Sequence, residues 1–454
     1  MNSVQKYGEV FTPEHIVDKL LVGIDYSDPT LTICEPAFGD GRILLELKNR
    51  LLEYHSEEHI MTHMLYGVEI QEAWHREAVE RLNPRGYSHN LLCCSALNFE
   101  GIFNPLKDWI NKFDLVVGNP PYNRNILKRE EVTTIFWEPS GYTTKLAYCC
   151  FVVLAQYLLK PKGEVRYVMP CSFTHNENTE QFREYIHDHL NIQSIEILPQ
   201  DAFEGIMIRT CIFRATKEPQ QGEISFSRIW NGKEYNTTTY YNEYNEIPLF
   251  IGDISKKIYK KVMQLGHNMV AYKGWNGVDS YAKFSTADPN KYEYQYVDGV
   301  KNNIPIIHST KYPDKVKASI NKKRNNVGNY ERFHTRKVLI NEVMFNSFEV
   351  TNHIKYFIKD ELGQYGSSPK HTVIVFDDEN MDAYIESLRS PLAQCMLTIM
   401  KDYNHNDSKL FRYLPYALSS VELTEEEQSF VDMFTSTPQD RIITLKGDVP
   451  KVSS

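Results

Sequence analysis

The feature that most restricts the fold is a repeated change of hydrophobic period along roughly the first 220 residues. Apolar runs of strand length lie at Leu31–Cys34, Leu65–Val68, Leu91–Cys94, Phe113–Val117, Val165–Met169, Ile195–Leu198 and Thr210–Arg214. Between them, helical spacing marks Glu14–Leu21, Ile43–Leu52, Gln71–Leu82, Lys145–Leu159 and Glu180–His189. Strands that are apolar throughout are buried on both faces, so their alternation with helices predicts an α/β fold with a mainly parallel, doubly covered sheet. Pro161 and Gly163 close the fourth helix and return the chain to a strand.

Beyond about residue 220 the texture becomes polar and tyrosine-rich, as in GKEYNTTTYYNEYNE, and Tyr384–Met400 reads as a helix interrupted by Pro391. A chain of 454 residues exceeds what one ordinary core organises. The expected division is 1–225 and 226–454, the second part a mixed α+β domain. The net charge of −9 gives no support to nucleic-acid binding, but its distribution is uneven. Residues 251–340 hold 17 Lys plus Arg against 7 Asp plus Glu, a balance of +10, so the remainder carries −19. A local basic stretch can grip a phosphate backbone; a solvated basic face is the alternative.

The start, MNSVQKYGEVFTPEH, has no apolar signal region, and LAYCCFVVLAQYLL at Leu146–Leu159 is shorter than a membrane span. The eight cysteines form no CxxC pair and lie mostly in apolar runs, which suits buried thiols in a reducing compartment. A cytoplasmic, membrane-free protein, monomeric or weakly dimeric, is expected.

Three motifs carry chemistry. ICEPAFGDG at Ile33–Gly41 follows a strand and precedes a helix, where glycines let backbone approach a ligand and the helix start offers free N–H groups. It lacks GxGxxG spacing, and a plain tight turn is the alternative. Glu69 ends the next strand, placed to accept ribose hydroxyls or to favour the start of the following helix. Asn119-Pro120-Pro121-Tyr122 follows FDLVVG at the carboxyl end of the fourth strand, where open parallel sheets bind ligands. The Asn119 side-chain oxygen and the Pro120 carbonyl can accept both hydrogens of an aromatic amine, directing its lone pair toward an electrophilic methyl group. Tyr122 can stack on a flat substrate. A proline-rich turn with a half-buried tyrosine is the plain alternative.

On these residues the chain resembles the adenine-specific DNA methyltransferases of restriction–modification systems, in the gamma order of cofactor motifs, catalytic motif and recognition region. Phe11-Thr12-Pro13 matches the leading FTP motif, which implies contact with the methionine part of S-adenosylmethionine. Glu35, Ala37, Phe38, Gly39 and Gly41 match the glycine loop; Glu69, with Ile70 beside it, matches the ribose-binding acid. Asn119–Tyr122 matches the catalytic tetrapeptide, and Phe203 resembles the aromatic that packs on an extruded base. The resemblance implies a Rossmann-like seven-stranded sheet with an antiparallel last strand, and a C-terminal target-recognition domain. It covers residues 10–215; downstream only FRYLP at Phe411–Pro415 adds to it. One position departs: where the family usually carries an acid, this chain has Ser95-Ala96, with Asn98 as an alternative partner for the cofactor's adenine.

The implied reaction moves a methyl group from S-adenosylmethionine, without a metal, to adenine in double-stranded DNA. The base must leave the helix, with Tyr122 and Phe203 expected to sandwich it. Lys315, Lys317, Lys322, Lys323 and Arg324 are candidate phosphate contacts, and Asn325, Asn326 and Asn329 candidate base readers, against solvated loops and turns. Tyr292, Tyr294 and Tyr296 alternate as one face of a strand would. A cognate restriction endonuclease would be a separate chain. Alternatives are an RNA or protein-glutamine methyltransferase, or a non-catalytic DNA-binding adaptor of the same fold.

Overall fold

The computed structural model describes residues 11–97, 106–122, 146–203, 208–266, 271–273, 306–307, 316–317, 337–341, 356–360, 366–367, 371–375, 381–400, 408–415, 417–434 and 441–444. The chain forms two compact units, Met1–Ile251 and Gly252–Ser454.

The first unit is built on strands β1 (Ile33–Glu35), β2 (Leu65–Glu69), β3 (Asn90–Cys93), β4 (Phe113–Gly118), β5 (Leu159–Pro170), β6 (Asn191–Ile197), β7 (Thr210–Thr216), β8 (Ile224–Trp230) and β9 (Lys233–Thr239). Their order in the sheet is β3-β2-β1-β4-β5-β7-β6-β8-β9. From β3 to β5 the neighbours are parallel, and β7 runs antiparallel between β5 and β6. The seven expected strands are therefore present with the last one reversed.

The sheet does not stop there. β8 pairs in parallel with β6, and β9 returns against β8. The expected division at 225/226 falls inside β8, which belongs to the sheet and keeps the hairpin in the first unit. Ile224, Phe226 and Trp230 are buried while Ser225 and Ile229 are exposed, the period of a strand covered on one face.

Side-chain alternation divides the core in two. Val116 of β4 joins the layer under α4 (Ala147–Leu158) and α5 (Glu180–His189). Leu115 and Val117 join the opposite layer under α1 (Glu14–Leu20), α2 (Arg42–Leu51) and α3 (Glu72–Leu82). α4 is buried almost all round, which accounts for its uninterrupted apolar sequence. It ends at Leu158, and β5 starts at once, running through Pro161 and Gly163. Lys162 takes a positive φ of 66°, and the pairing with β4 shifts register between Phe113 and Leu115, so a bulge absorbs the residues expected to form a turn.

Two arginines of the sheet hold α1. Arg166 of β5 donates from Nη1 to the carbonyls of Leu20 (3.2 Å) and Val22 (2.6 Å), and Arg214, its cross-strand partner on β7, donates to the carbonyl of Lys19 (2.6 Å). The last carbonyls of a helix lack intrahelical donors, so these contacts fix the end of α1 on the sheet.

In the second unit a five-stranded sheet orders Ala271–Lys273, His371–Val375, Lys337–Asn341, Tyr356–Asp360 and Arg441–Thr444. Ile306–Ile307, Val316–Lys317 and Gly366–Ser367 form a smaller one. Pro391 begins a second helix, Pro391–Met400, after Met381–Arg389, as proline does at a first helical position. Phe411, Tyr413 and Leu414 of the FRYLP segment are buried, and Tyr384 donates to the Leu414 carbonyl at 2.9 Å. Lys315, Lys322, Lys323, Arg324, Asn98, the three candidate base-reading asparagines and the three alternating tyrosines lie outside the described residues; of Lys317 the backbone alone is described.

Candidate active site

The strand order reverses direction between β1 and β4: the chain builds β2 and β3 on one side and β5 on the other. Such a switch point opens a crevice beyond the carboxyl ends of the strands. Glu35 ends β1 at one side of it and Asn119 follows β4 at the other. Glu35 lies against the last residue of β4: a Cβ added to Gly118 would be 3.7 Å from Glu35 Oε1.

The glycine loop leaves β1 with Phe38 donating its N–H to the Val68 carbonyl at 3.1 Å. Gly39 and Gly41 have φ of 54° and 73°, a region that side chains with a Cβ rarely adopt. A Cβ on Gly41 would also meet Ala78 Cβ at 3.0 Å, so this glycine lets α2 start close against α3. Glu69 locks the loop, accepting from the Gly39 N–H (2.9 Å) and from the Gln71 N–H (2.8 Å) at the start of α3. The Cys94 N–H donates to the Glu69 carbonyl, which brings the loop carrying half-buried Ser95 and buried Ala96 alongside.

Glu35 is 2% exposed, and its Oε2 has no hydrogen-bond partner among the described residues. Burial, reinforced by the Asp40 and Glu69 carboxylates, pushes it well above the usual carboxylate range. Asn119 donates from Nδ2 to Thr12 Oγ1 at 3.1 Å and accepts at Oδ1 from the Tyr122 hydroxyl at 2.5 Å. The same hydroxyl lies 3.3 Å from the Val168 carbonyl. Burial, with Cys211 and Cys171 nearby, pushes the Tyr122 phenol up.

A strap closes the cofactor side. Arg42 donates from Nη1 to the Thr12 carbonyl (3.0 Å), pairs with Asp40 (2.8 Å) and lies 4.8 Å over the Phe11 ring. Phe11 in turn meets Trp74 edge-on at 5.4 Å. Neither Arg42 nor Trp74 stood out in the sequence. Arg42 could have: a cation at the first position of a helix opposes the helix dipole and calls for a compensating contact.

A family model for the N-6 DNA methylases matches residues 1–292. The chain belongs to the N-6 DNA methylase family. Among curated relatives, the type II methyltransferase M.AccI of Acinetobacter calcoaceticus is 22% identical over 296 residues, 62% of this chain and 51% of that protein. The type II methyltransferase M.BstVI of Geobacillus stearothermophilus is 27% identical over 219 residues, 43% of this chain and 39% of that protein. This N-6 DNA methylase chain thus spans about half or less of the length of these relatives. In fold it is similar to the protein of the DrdV–DNA complex (TM-score 0.55, 13% identity, 94% of this chain and 57% of that one). It is also similar to the type ISP restriction–modification enzyme LlaGI (TM-score 0.51, 13% identity, 93% and 46%).

The family expected from the motifs is the one matched. Thr12 is bonded to Asn119, Gly39 to Glu69, and Glu35 lies against Gly118. Ile70, 56% exposed beside Glu69, presents an apolar face. The Phe38 side chain turns into the core. Phe203 is 4% exposed in the layer with Leu198, Val168 and Ile212, whereas Tyr122 packs against the opposite layer. Val168, whose side chain lies in the cluster with Phe203, has its carbonyl 3.3 Å from the Tyr122 hydroxyl. Among the described residues no three His, Cys, Asp or Glu side chains are grouped to hold a metal, all eight cysteines are free thiols, and no helix is long and apolar enough to cross a membrane.

Proposed function

We propose that this chain transfers a methyl group from S-adenosylmethionine to the exocyclic amino group of an adenine in duplex DNA, as the modifying member of a restriction–modification system. The observation that carries this reading is the Asn119 amide directly after β4, bonded to Thr12 and Tyr122, with the buried Glu35 carboxylate beside the neighbouring Gly118, in a chain of the N-6 DNA methylase family.

The residues present fit the cofactor. A buried carboxylate oxygen with no partner, Glu35 Oε2, suits the ammonium of an amino-acid moiety. The Glu69 carboxylate is the acceptor type that ribose hydroxyls need, Ile70 suits one face of a purine, and the Ser95 hydroxyl lies in the loop next to them. When bound, S-adenosylmethionine supplies a methyl group on a positively charged sulfur. The protein's share is positioning. Asn119 Oδ1 and the Pro120 carbonyl accept the two N–H bonds of the target amine, which draws its lone pair out of conjugation and aims it into the crevice. Tyr122 must give up its bond to Asn119 Oδ1 for this, and its ring is then available to stack on the base. The added proton leaves to water after transfer, so no strong general base is needed. Alignment and local electrostatics provide the rate. Duplex binding and extrusion of the base fall to residues 252–454 and the basic stretch 251–340.

The test is incubation with labelled S-adenosylmethionine and, separately, unmodified duplex DNA, structured RNA and protein extract, followed by identification of the modified base. Label in N6-methyladenine of DNA is expected, and Asn119→Ala is expected to cut the rate about a hundredfold or more with cofactor binding retained. Label entering only RNA or protein overturns the substrate assignment. An Asn119→Ala variant at full rate shows the reacting site to be elsewhere.

A further inference from the structure

We infer that Thr12, held from behind by Arg42, is a positioning residue that fixes which way the Asn119 amide faces. The inference rests on the methyl-transfer reading above. An asparagine side chain can turn either its oxygen or its NH2 toward a ligand, and the two are nearly the same size. An oxygen alone accepts from a target amine; a reversed amide would set N–H against N–H. In the structure Thr12 Oγ1 accepts one of the two Nδ2 hydrogens at 3.1 Å, leaving Oδ1 on the side where a donor, the Tyr122 hydroxyl, sits at 2.5 Å. The phenol oxygen, 2.5 Å from Oδ1 and 3.3 Å from the Val168 carbonyl, marks the side from which a donor reaches Oδ1.

Thr12 is itself fixed. It is 3% exposed, so water does not compete for its hydroxyl, and its carbonyl accepts from Arg42 Nη1 at 3.0 Å. The guanidinium is held by Asp40, through Nε at 3.0 Å and Nη2 at 2.8 Å, and covers Phe11. Arg81 donates to the Asp40 carbonyl. Contacts therefore run without a break from the glycine loop through Arg42 and Thr12 to Asn119. The fork geometry matters: an ammonium cannot serve Asp40 twice and the Thr12 carbonyl at once with the same fixed directions. Arg42 stands where the helix dipole disfavours a cation, and these partners compensate it there.

The test uses the full chain with DNA lacking adenine methylation. Thr12→Val keeps the shape and removes the hydroxyl; Thr12→Ser keeps the hydroxyl. At saturating cofactor, Thr12→Val is expected to lower kcat about tenfold, with the melting temperature close to wild type and the S-adenosylmethionine Kd raised by less than kcat is lowered. Thr12→Ser is expected to recover most of the loss. Arg42→Ala is expected to lower kcat similarly and also weaken cofactor binding, and Arg42→Lys not to restore either. A Thr12→Val variant with normal kcat and impaired cofactor Kd overturns the inference, because the hydroxyl then serves the cofactor alone. So does a Thr12→Ser variant as impaired as Thr12→Val. Wild-type protein that leaves adenine unmodified sinks the underlying reading instead, and this inference with it.

Discussion

Glu35 is unfavourable for the folded chain alone and, in the proposed function, favourable for the bound cofactor. Its carboxyl is enclosed with two like charges nearby and one unpartnered oxygen, so it holds its proton to a higher pH when folded than the roughly 4.3 of an exposed glutamate. Between those two values the folded chain binds more protons than the unfolded one, so the cofactor-free protein loses stability as pH rises through that interval. Glu35→Gln should remove this component: the variant's melting temperature should fall less with pH above about 5 than that of the wild type. The same change should weaken S-adenosylmethionine binding about tenfold or more, the effect of losing a charge-assisted hydrogen bond. Parallel melting curves for the two proteins from pH 5 to 8 would contradict the account. At this scale the sequence was informative where chemistry follows from neighbours in the chain, as for Glu35 in its loop and Asn119 after its strand. It was silent where a contact spans the fold, as between Thr12 and Asn119, or where burial decides a role, as for Phe203.

Among the elements, α1 makes the clearest case for placement from a distance. The helix begins directly after Phe11-Thr12-Pro13, the Pro13 carbonyl accepting from Ile16 and Val17, and ends on Arg166 and Arg214 of the sheet. The sheet thus sets the helix, and the helix sets the segment that carries Thr12. Arg166 is 5% exposed and also pairs with Glu164 at 2.8 Å, so its loss leaves carbonyls and a carboxylate without their donor. Arg166→Ala should cost about 2–3 kcal/mol of stability and raise the Kd for S-adenosylmethionine, both measurable by thermal melts with and without cofactor. A variant with reduced stability but unaltered cofactor Kd would separate α1 from the site. The parallel strands were readable because burial on both faces leaves unbroken apolar runs. The β8–β9 hairpin was not, since a strand covered on one face alternates, and its polar residues resemble those of a linker. No local rule says that such a hairpin joins β6, with Ser225 set beside Ser194.

For the molecule as a whole the governing fact is segregation of charge. Outside 251–340 the chain carries −19 and would be repelled by a polyanion; inside, it carries +10. In the proposed function that stretch grips duplex DNA, and phosphate contacts there release counterions. The observed affinity should fall steeply with salt, in spite of the overall negative charge. Replacing Lys315, Lys317, Lys322, Lys323 and Arg324 together with glutamine should flatten the plot of log K against log salt by about 0.9 for each phosphate no longer neutralised. Cofactor binding should be unchanged, because the residues that fit the cofactor all lie within Met1–Ile251. Titrations of a fluorescent duplex between about 50 and 200 mM salt give both slopes. A slope identical in wild type and variant would free these five residues from the phosphate backbone and move the search for the DNA surface to the remaining cations of the stretch, Lys256, Lys257 and Lys260 of the helix Gly252–Met263 among them.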